Sequence, residues 1–284
     1  MDAVIDIGSN SVRLCLMRDK KVNPKKINTT FLAEDLAKTG FLNENALKRT
    51  AAAVVGFVAE AKKAGAEKIY IFGTEAMRSG KNADRLTGEV FAKTGIAIDV
   101  IDGYTEALCG FLGAKDLKEK LCVVDIGGAS IELTQGADKI ENGVSLPLGV
   151  KRVKDLTSTR AGIREYNKEK VRGFPRFTYP LVGIGGTVTS LSAMLQNMKV
   201  YDAEKNHGST VNLDDLTALE DDIFALSSPQ KISEKYPCIG VKRASVIGVG
   251  CVALVEIMRY LGKTSLVVSE HDNIEGYFAL KKSK

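Results

Sequence analysis

The feature that most constrains this chain is a repeat. Residues 4–14, VIDIGSNSVRL, and residues 123–133, VVDIGGASIEL, align without a gap and share six of eleven positions. Each copy is an apolar run ending in an acid, Asp6 or Asp125, followed by a Gly/Ser turn and a second alternating run. That order predicts a β-hairpin with the acid at the end of its first strand. Both copies open segments of similar size, so the chain reads as a duplicated α/β unit.

The flanking patterns agree. Leu47, Ala51, Val54, Val55, Val58 and Ala61 recur at helical spacing, and the run stops at Gly65 before an apolar strand at 69–72. A helix over 83–92, a strand over 96–101 and a helix opening near Tyr104 follow. In the second segment we expect strands at 121–126, 131–134, 181–184 and 265–269, and helices from Thr187, over 213–226 and over 275–281. Val246, Val249, Ala253, Ile257 and Leu261 stripe a further long helix. The expected lobes are 1–118 and 119–284, the last helix packing back on the first.

Composition narrows the classes. With 284 residues, 44% hydrophobic and 26% charged, the chain can build two modest cores. MDAVIDIGSN lacks the basic and apolar regions of a leader, and no stretch reads as the ~18–20 apolar residues of a membrane span. The expectation is a cytoplasmic protein with no membrane partner. Cys15, Cys109, Cys122, Cys238 and Cys251 are scattered in apolar surroundings and read as reduced core thiols. Because His207 and His271 are the only histidines, a metal is expected to be a hard cation on oxygen ligands, Mg2+ by default or Mn2+ in its place.

Between Lys151 and Arg176, nine Lys or Arg stand against three acids, a block of +6. It reads either as a solvated face or as a track for a polyanion. No aromatic platform accompanies it, which argues against nucleic acid; Phe174, Phe177 and Tyr179 read as packing residues.

A strand ending in Asp before Gly8, Ser9, Asn10 and Ser11 turns sharply enough for several N–H groups to converge on one anion. Gly127, Gly128, Ala129 and Ser130 repeat this turn, and Gly185, Gly186 and Thr187 offer a third. Phosphate is the expected guest. Asp6 and Asp125 are placed to hold a metal beside it.

The duplicated Asp-Ile-Gly hairpin resembles the acetate kinase, sugar kinase, heat-shock chaperone and actin superfamily. The resemblance implies an α/β fold of two ribonuclease-H-like (actin-like ATPase superfamily) lobes flanking a central phosphate-binding cleft. Within it, DIGSNSVRL, FGTEAMRSG, DGYTEALCGFLG, VVDIGGASIEL, GIGGTVTSL and HGSTVNL are together similar to the exopolyphosphatase and guanosine pentaphosphate phosphatase family. That likeness implies Glu106 as the base for an attacking water, Arg78 as a phosphate-binding arginine, and Asp125 with Glu132 around the metal; comparing the two hairpin copies adds Arg13, opposite Glu132 in the alignment, as a phosphate-binding candidate, with Asp6 kept as a metal candidate. The chain departs from the family pattern at Phe31, Thr105, Ala129 and Ile274, where the family has Arg, an acid, Gly and Arg, so substrate choice is expected to differ.

The function expected is hydrolytic release of terminal phosphate from inorganic polyphosphate. Guanosine pentaphosphate, a guanosine polyphosphate with the same kind of terminal anhydride, is the alternative substrate. A kinase of the same superfamily and a phosphate or alarmone sensor without turnover are the rival readings. The assembly stays open between monomer and homodimer.

Overall fold

The computed structural model describes residues 1–18, 21–128, 130–157 and 159–283. One unit comprises Met1–Glu106 and Leu280–Lys284, the other Ala107–Ala279. The first unit contains β1 (Asp2–Ile7), β2 (Ser11–Met17), β3 (Lys25–Thr29), α1 (Leu36–Thr39), α2 (Glu44–Lys63), β4 (Ile69–Gly73), α3 (Glu75–Ser79), α4 (Ala83–Thr94) and β5 (Ile98–Val100). Helix α5 (Gly103–Gly113) begins in this unit and ends in the second. The sheet order is β3-β2-β1-β4-β5, with β2 antiparallel to both of its neighbours and β4 parallel to both of its own.

The expected helix over 47–61 is α2. Asn43 caps it, its side chain accepting from the N–H groups of Asn45 and Ala46, which would otherwise lack helical partners. Its buried stripe, Leu47, Ala51, Val54, Val58 and Ala61, joins Ile5, Ile7, Leu14 and Ile71 in the core of this unit. Such a stripe is the tertiary reason the helix persists, since burial outweighs the modest propensity of an Ala/Val-rich run.

The second unit contains β6 (Leu121–Ile126), β7 (Ile131–Gly136), β8 (Ile140–Leu146), α6 (Val150–Leu156), α7 (Arg160–Lys170), β9 (Leu181–Ile184), α8 (Gly185–Leu195), α9 (Ala203–Asn206) and β10 (Thr210–Asn212). It continues through α10 (Leu213–Ala225), α11 (Pro229–Lys235), α12 (Val241–Leu261), β11 (Ser265–Val268) and most of α13 (Asn273–Lys282). Its sheet runs β10-β11-β9-β6-β7-β8. The arrangement β8-β7-β6-β9 repeats β3-β2-β1-β4, so the duplication read in eleven residues extends over four strands. Both β3 (KKINT) and β8 (IENGVSL) escape the sequence pattern because they are edge strands broken by exposed polar residues, although Ile140, Val144 and Leu146 of β8 pack, partly buried, against the cores of the second unit.

Helix α12 corrects one expectation. It is long and apolar enough to cross a membrane by length and composition, yet 72% of its most apolar window is buried. Cys251, Val252, Leu254, Val255, Ile257 and Met258 lie in the core of the second unit, where an all-round apolar helix is expected. Phe174 and Phe177 join the same core, while Tyr179 is half-buried. Four of the five free cysteines are buried, and Cys238 is half-buried. Burial pushes the Cys122 thiol up to about 12.

Within the second unit, α5 and α13 meet at glycines. A Cβ on Gly276 would overlap the Cys109 carbonyl, and one on Gly113 would overlap the Asp272 carbonyl. In the first unit the end of α13 is fastened by Lys282 to the buried Asp2 (2.8 Å) and by Lys281 to Asp99 (2.8 Å).

Candidate functional site

In the first unit, Gly8 N–H donates to the Ser11 carbonyl (3.0 Å), closing the turn after β1. Register places Asp6 directly opposite Arg13. The Arg13 Nε and Nη2 atoms lie 2.7 and 2.6 Å from Asp6 Oδ2, and Asp6 is buried. The expected phosphate-binding arginine and the expected metal-binding acid therefore neutralise each other across the hairpin. The carbonyls of Ser9 and Asn10 accept from Ala33 N–H (2.9 Å) and from Thr30 and Phe31 N–H (3.1 and 3.0 Å). Phe31 has φ 52°, a left-handed conformation unusual for a bulky residue, and it adjoins this loop.

Two helix termini supply the other candidates. Arg78 sits in the last turn of α3, where Met77 packs against the side-chain-free Gly73. Glu106 sits in the first turn of α5. Arg78 Nη1 donates to the Ile101 carbonyl (2.7 Å), and Nη2 lies 2.8 Å from Glu106 Oε2. Asp102 secures the start of α5 by accepting from Thr105 N–H (2.7 Å). Hydrogen bonds from the Thr105 backbone and then its side chain hold the Asp102 carboxyl below its usual range. Thr105, at the position of a family acid, thus helps fix the helix that carries Glu106.

In the second unit, Gly127 N–H donates to the Ser130 carbonyl (3.0 Å), the same closure as at Gly8. Ala129 lies outside the described residues. The loop carbonyls of Gly127 and Gly128 accept from the N–H groups of Val150 and Lys151 (3.0 Å each), so the loop satisfies the opening turn of α6. Thr187, though placed in a phosphate-gripping turn by sequence, donates its hydroxyl to the Ile126 carbonyl (2.8 Å) and is buried. Its side chain fastens α8 to β6.

Asp125 stands opposite Glu132 in the hairpin register, where the first copy has Asp6 and Arg13. Like charges directly opposed on one face destabilise a ladder. Glu132 Oε1 accepts from the Ser145 hydroxyl (2.6 Å). An all-oxygen donor pair of this kind suits Mg2+ or Mn2+, which would remove the repulsion. Asp6 fits less well, because its Oδ2 holds Arg13.

Sequence reading overlooked Arg243. Its guanidinium occupies the space a Cβ on Gly186 would take, while the Asp125 carboxylate fills that position at Gly185, whose φ is 77°. The signal was a Lys-Arg pair at the start of an apolar stripe, which reads as a solvated helix end until α12 is docked. The two histidines also meet, contrary to their scattered positions. Asp116 Oδ2 lies 3.2 Å from His207 Nε2 and 3.0 Å from His271 Nδ1. Because His207 Nδ1 accepts the Glu270 N–H (3.2 Å), its proton belongs on Nε2, making it a donor to Asp116 rather than a metal ligand.

Two α/β units, each opened by an Asp-Ile-Gly hairpin with the same strand order around it, define the actin-like ATPase fold. The chain belongs to the Ppx/GppA phosphatase family, which matches residues 20–281. It is 32% identical to a bifunctional 3-dehydroquinate synthase/phosphatase of Fusobacterium nucleatum, with 96% of this chain covered, and spans 45% of that longer relative. It is 29% identical to exopolyphosphatase 2 of Mycobacterium tuberculosis, covering 96% of both chains. The solved structure of an Aquifex aeolicus family member superposes with a TM-score of 0.87 at 26% identity, covering 99% of this chain and 98% of the other.

Proposed function

We propose that this chain is an exopolyphosphatase, releasing terminal orthophosphate from inorganic polyphosphate by attack of a water molecule. The observation that carries the reading is the 2.8 Å pairing of Arg78 with Glu106, two sequence candidates that lie on different helices. Glu106 accepts the proton of the attacking water as the new P–O bond forms and the terminal anhydride P–O bond breaks. The shortened polyphosphate leaves with the anhydride oxygen. Arg78 has five N–H donors, of which Ile101 and Glu106 engage only part, so it can also bind phosphoryl oxygens. Charge stabilisation of this kind carries most of phosphoryl-transfer catalysis. A divalent cation held by Asp125 and Glu132 would supply further charge neutralisation for the polyanion.

The name of the mycobacterial relative supports polyphosphate as the substrate. The test is phosphate release by the purified chain and its Glu106→Gln variant, given short polyphosphate, long polyphosphate and guanosine pentaphosphate with Mg2+ or Mn2+. Release from polyphosphate that collapses in the variant is expected. Equal rates in both proteins would remove Glu106 as base. Binding without release under either metal would favour the sensor, and release from the guanosine substrate alone would reassign the specificity.

A further inference from the structure

We propose that the outer edge of the first unit's sheet is a self-association surface, where two copies of this chain join β3 to β3 and α2 to α2 about one two-fold axis.

Strand β3 ends its five-stranded sheet, and among the described residues no strand lies beyond it. Lys26, Ile27 and Asn28 are exposed along it, Ile27 by 64%. Such an edge offers its N–H and C=O groups to a further strand. Beside it lies a groove of about 530 Å³, walled by Asn28 and Thr29 of the strand and by one stripe of α2 from Arg49 to Glu60. The stripe is charged at its ends and small in the middle, at Ala52, Ala53 and Gly56. A Cβ on Gly56 would meet nothing within 4 Å, so this face of the helix has room for a close neighbour.

Helix and strand run antiparallel. Lys26 pairs with Glu60 at one end of the groove, and at the other Arg49 donates from Nη2 to the Thr30 carbonyl (3.1 Å) and to Glu34 (2.9 Å). Asn28 therefore stands beside the middle of the stripe. A two-fold axis through Asn28 serves both elements at once. It sets Ile27 against Thr29 of the second copy in an antiparallel ladder, a β-branched pair that favours a sheet. It also sets α2 antiparallel to its copy, with Arg49 facing Glu60 of the second copy and the half-buried Phe57 facing Ala52 of the second copy.

The stripe is thus its own complement in charge and in size, as an isologous interface requires. Each end of the assembled groove alternates in sign, through Lys26 and Glu60 of one copy, then Arg49 and Glu34 of the other. Edge lysines usually oppose pairing, but here Lys25 and Lys26 of the two copies fall at opposite ends of the ladder and do not face each other.

The experiment is sedimentation velocity of the full chain across the micromolar range, with thermal melts to confirm folding of each variant. The wild type is expected to show a concentration-dependent monomer–dimer equilibrium. Ala52→Arg, Arg49→Glu and Glu60→Arg should each weaken the dimer about tenfold or more, because every change enters the interface twice. Mixing the Arg49→Glu chain with the Glu60→Arg chain should restore the dimer, since both ends of the mixed pair again join an acid to a base. A merely destabilising substitution would not be rescued in this way.

A wild type that stays monomeric would overturn the proposal. So would a dimer that survives Ala52→Arg, or folded charge-reversed chains that fail to recombine when mixed.

Discussion

Arg78 Nη2 lies 2.8 Å from Glu106 Oε2, so the guanidinium that can stabilise a phosphoryl group also orients the carboxylate that can accept a proton from water. In the proposed mechanism, base and electrophilic stabiliser form one unit. Substituting either should therefore disturb the other.

Glu106→Gln should lower kcat by about 10²–10⁴, the usual worth of a positioned base. Arg78→Gln should lower it by roughly 10²–10³. The double variant should lose much less than the product of the single losses, because the residues act together. Steady-state phosphate release from tripolyphosphate checks this, and simple multiplication of the two losses would contradict the coupling.

Glu220 is fully buried, and its Oε1 accepts from Arg160 Nε (2.7 Å) and from Arg164. Glu220→Ala should destabilise the chain by about 3 kcal/mol, the scale of breaking a buried ion pair. Urea unfolding measures it. A loss no larger than for the exposed Lys170→Ala would show that the network contributes little.

Gly276→Ala should unfold the chain or lower its melting temperature sharply, since the new methyl group overlaps the Cys109 carbonyl and backbone cannot swing aside like a side chain. Gly56→Ala, with nothing near its Cβ position, should be neutral or stabilising. Paired thermal melts distinguish the two.

Burial alone would raise the Asp116 pKa, but hydrogen bonds from His207 and His271 outweigh it and hold the carboxyl well below the usual range. Its folded pKa is therefore below the unfolded value of about 3.9, so its stabilisation is present above that value and lost as pH falls further. Asp116→Asn should melt lower than wild type at pH 7 and lose less stability between pH 5 and 3. Parallel acid limbs would refute the linkage.

The hairpins were legible because strand period, turn residues and the terminal acid are local properties. So was α2, from its buried stripe. The edge strands β3 and β8 were not, since a strand interrupted by exposed polar residues is held by the ladder of its neighbour and leaves little trace in its own sequence. Arg13 and Glu132 were visibly different in the sequence. Their register opposite Asp6 and Asp125 makes that difference chemical, a neutralised pair in one hairpin and an acid pair in the other.

The sequence by itself determined the duplication, the Asp-Ile-Gly turns and the separate candidacies of Arg78 and Glu106. Only the tertiary structure decided that those two meet, that Thr187 fastens a helix to a strand, and that Arg243 reaches a turn 57 positions earlier in the chain. Chain-local patterns set which face a side chain takes. Its partner depends on packing between distant segments, here the glycine contacts and ion pairs that dock one helix on another.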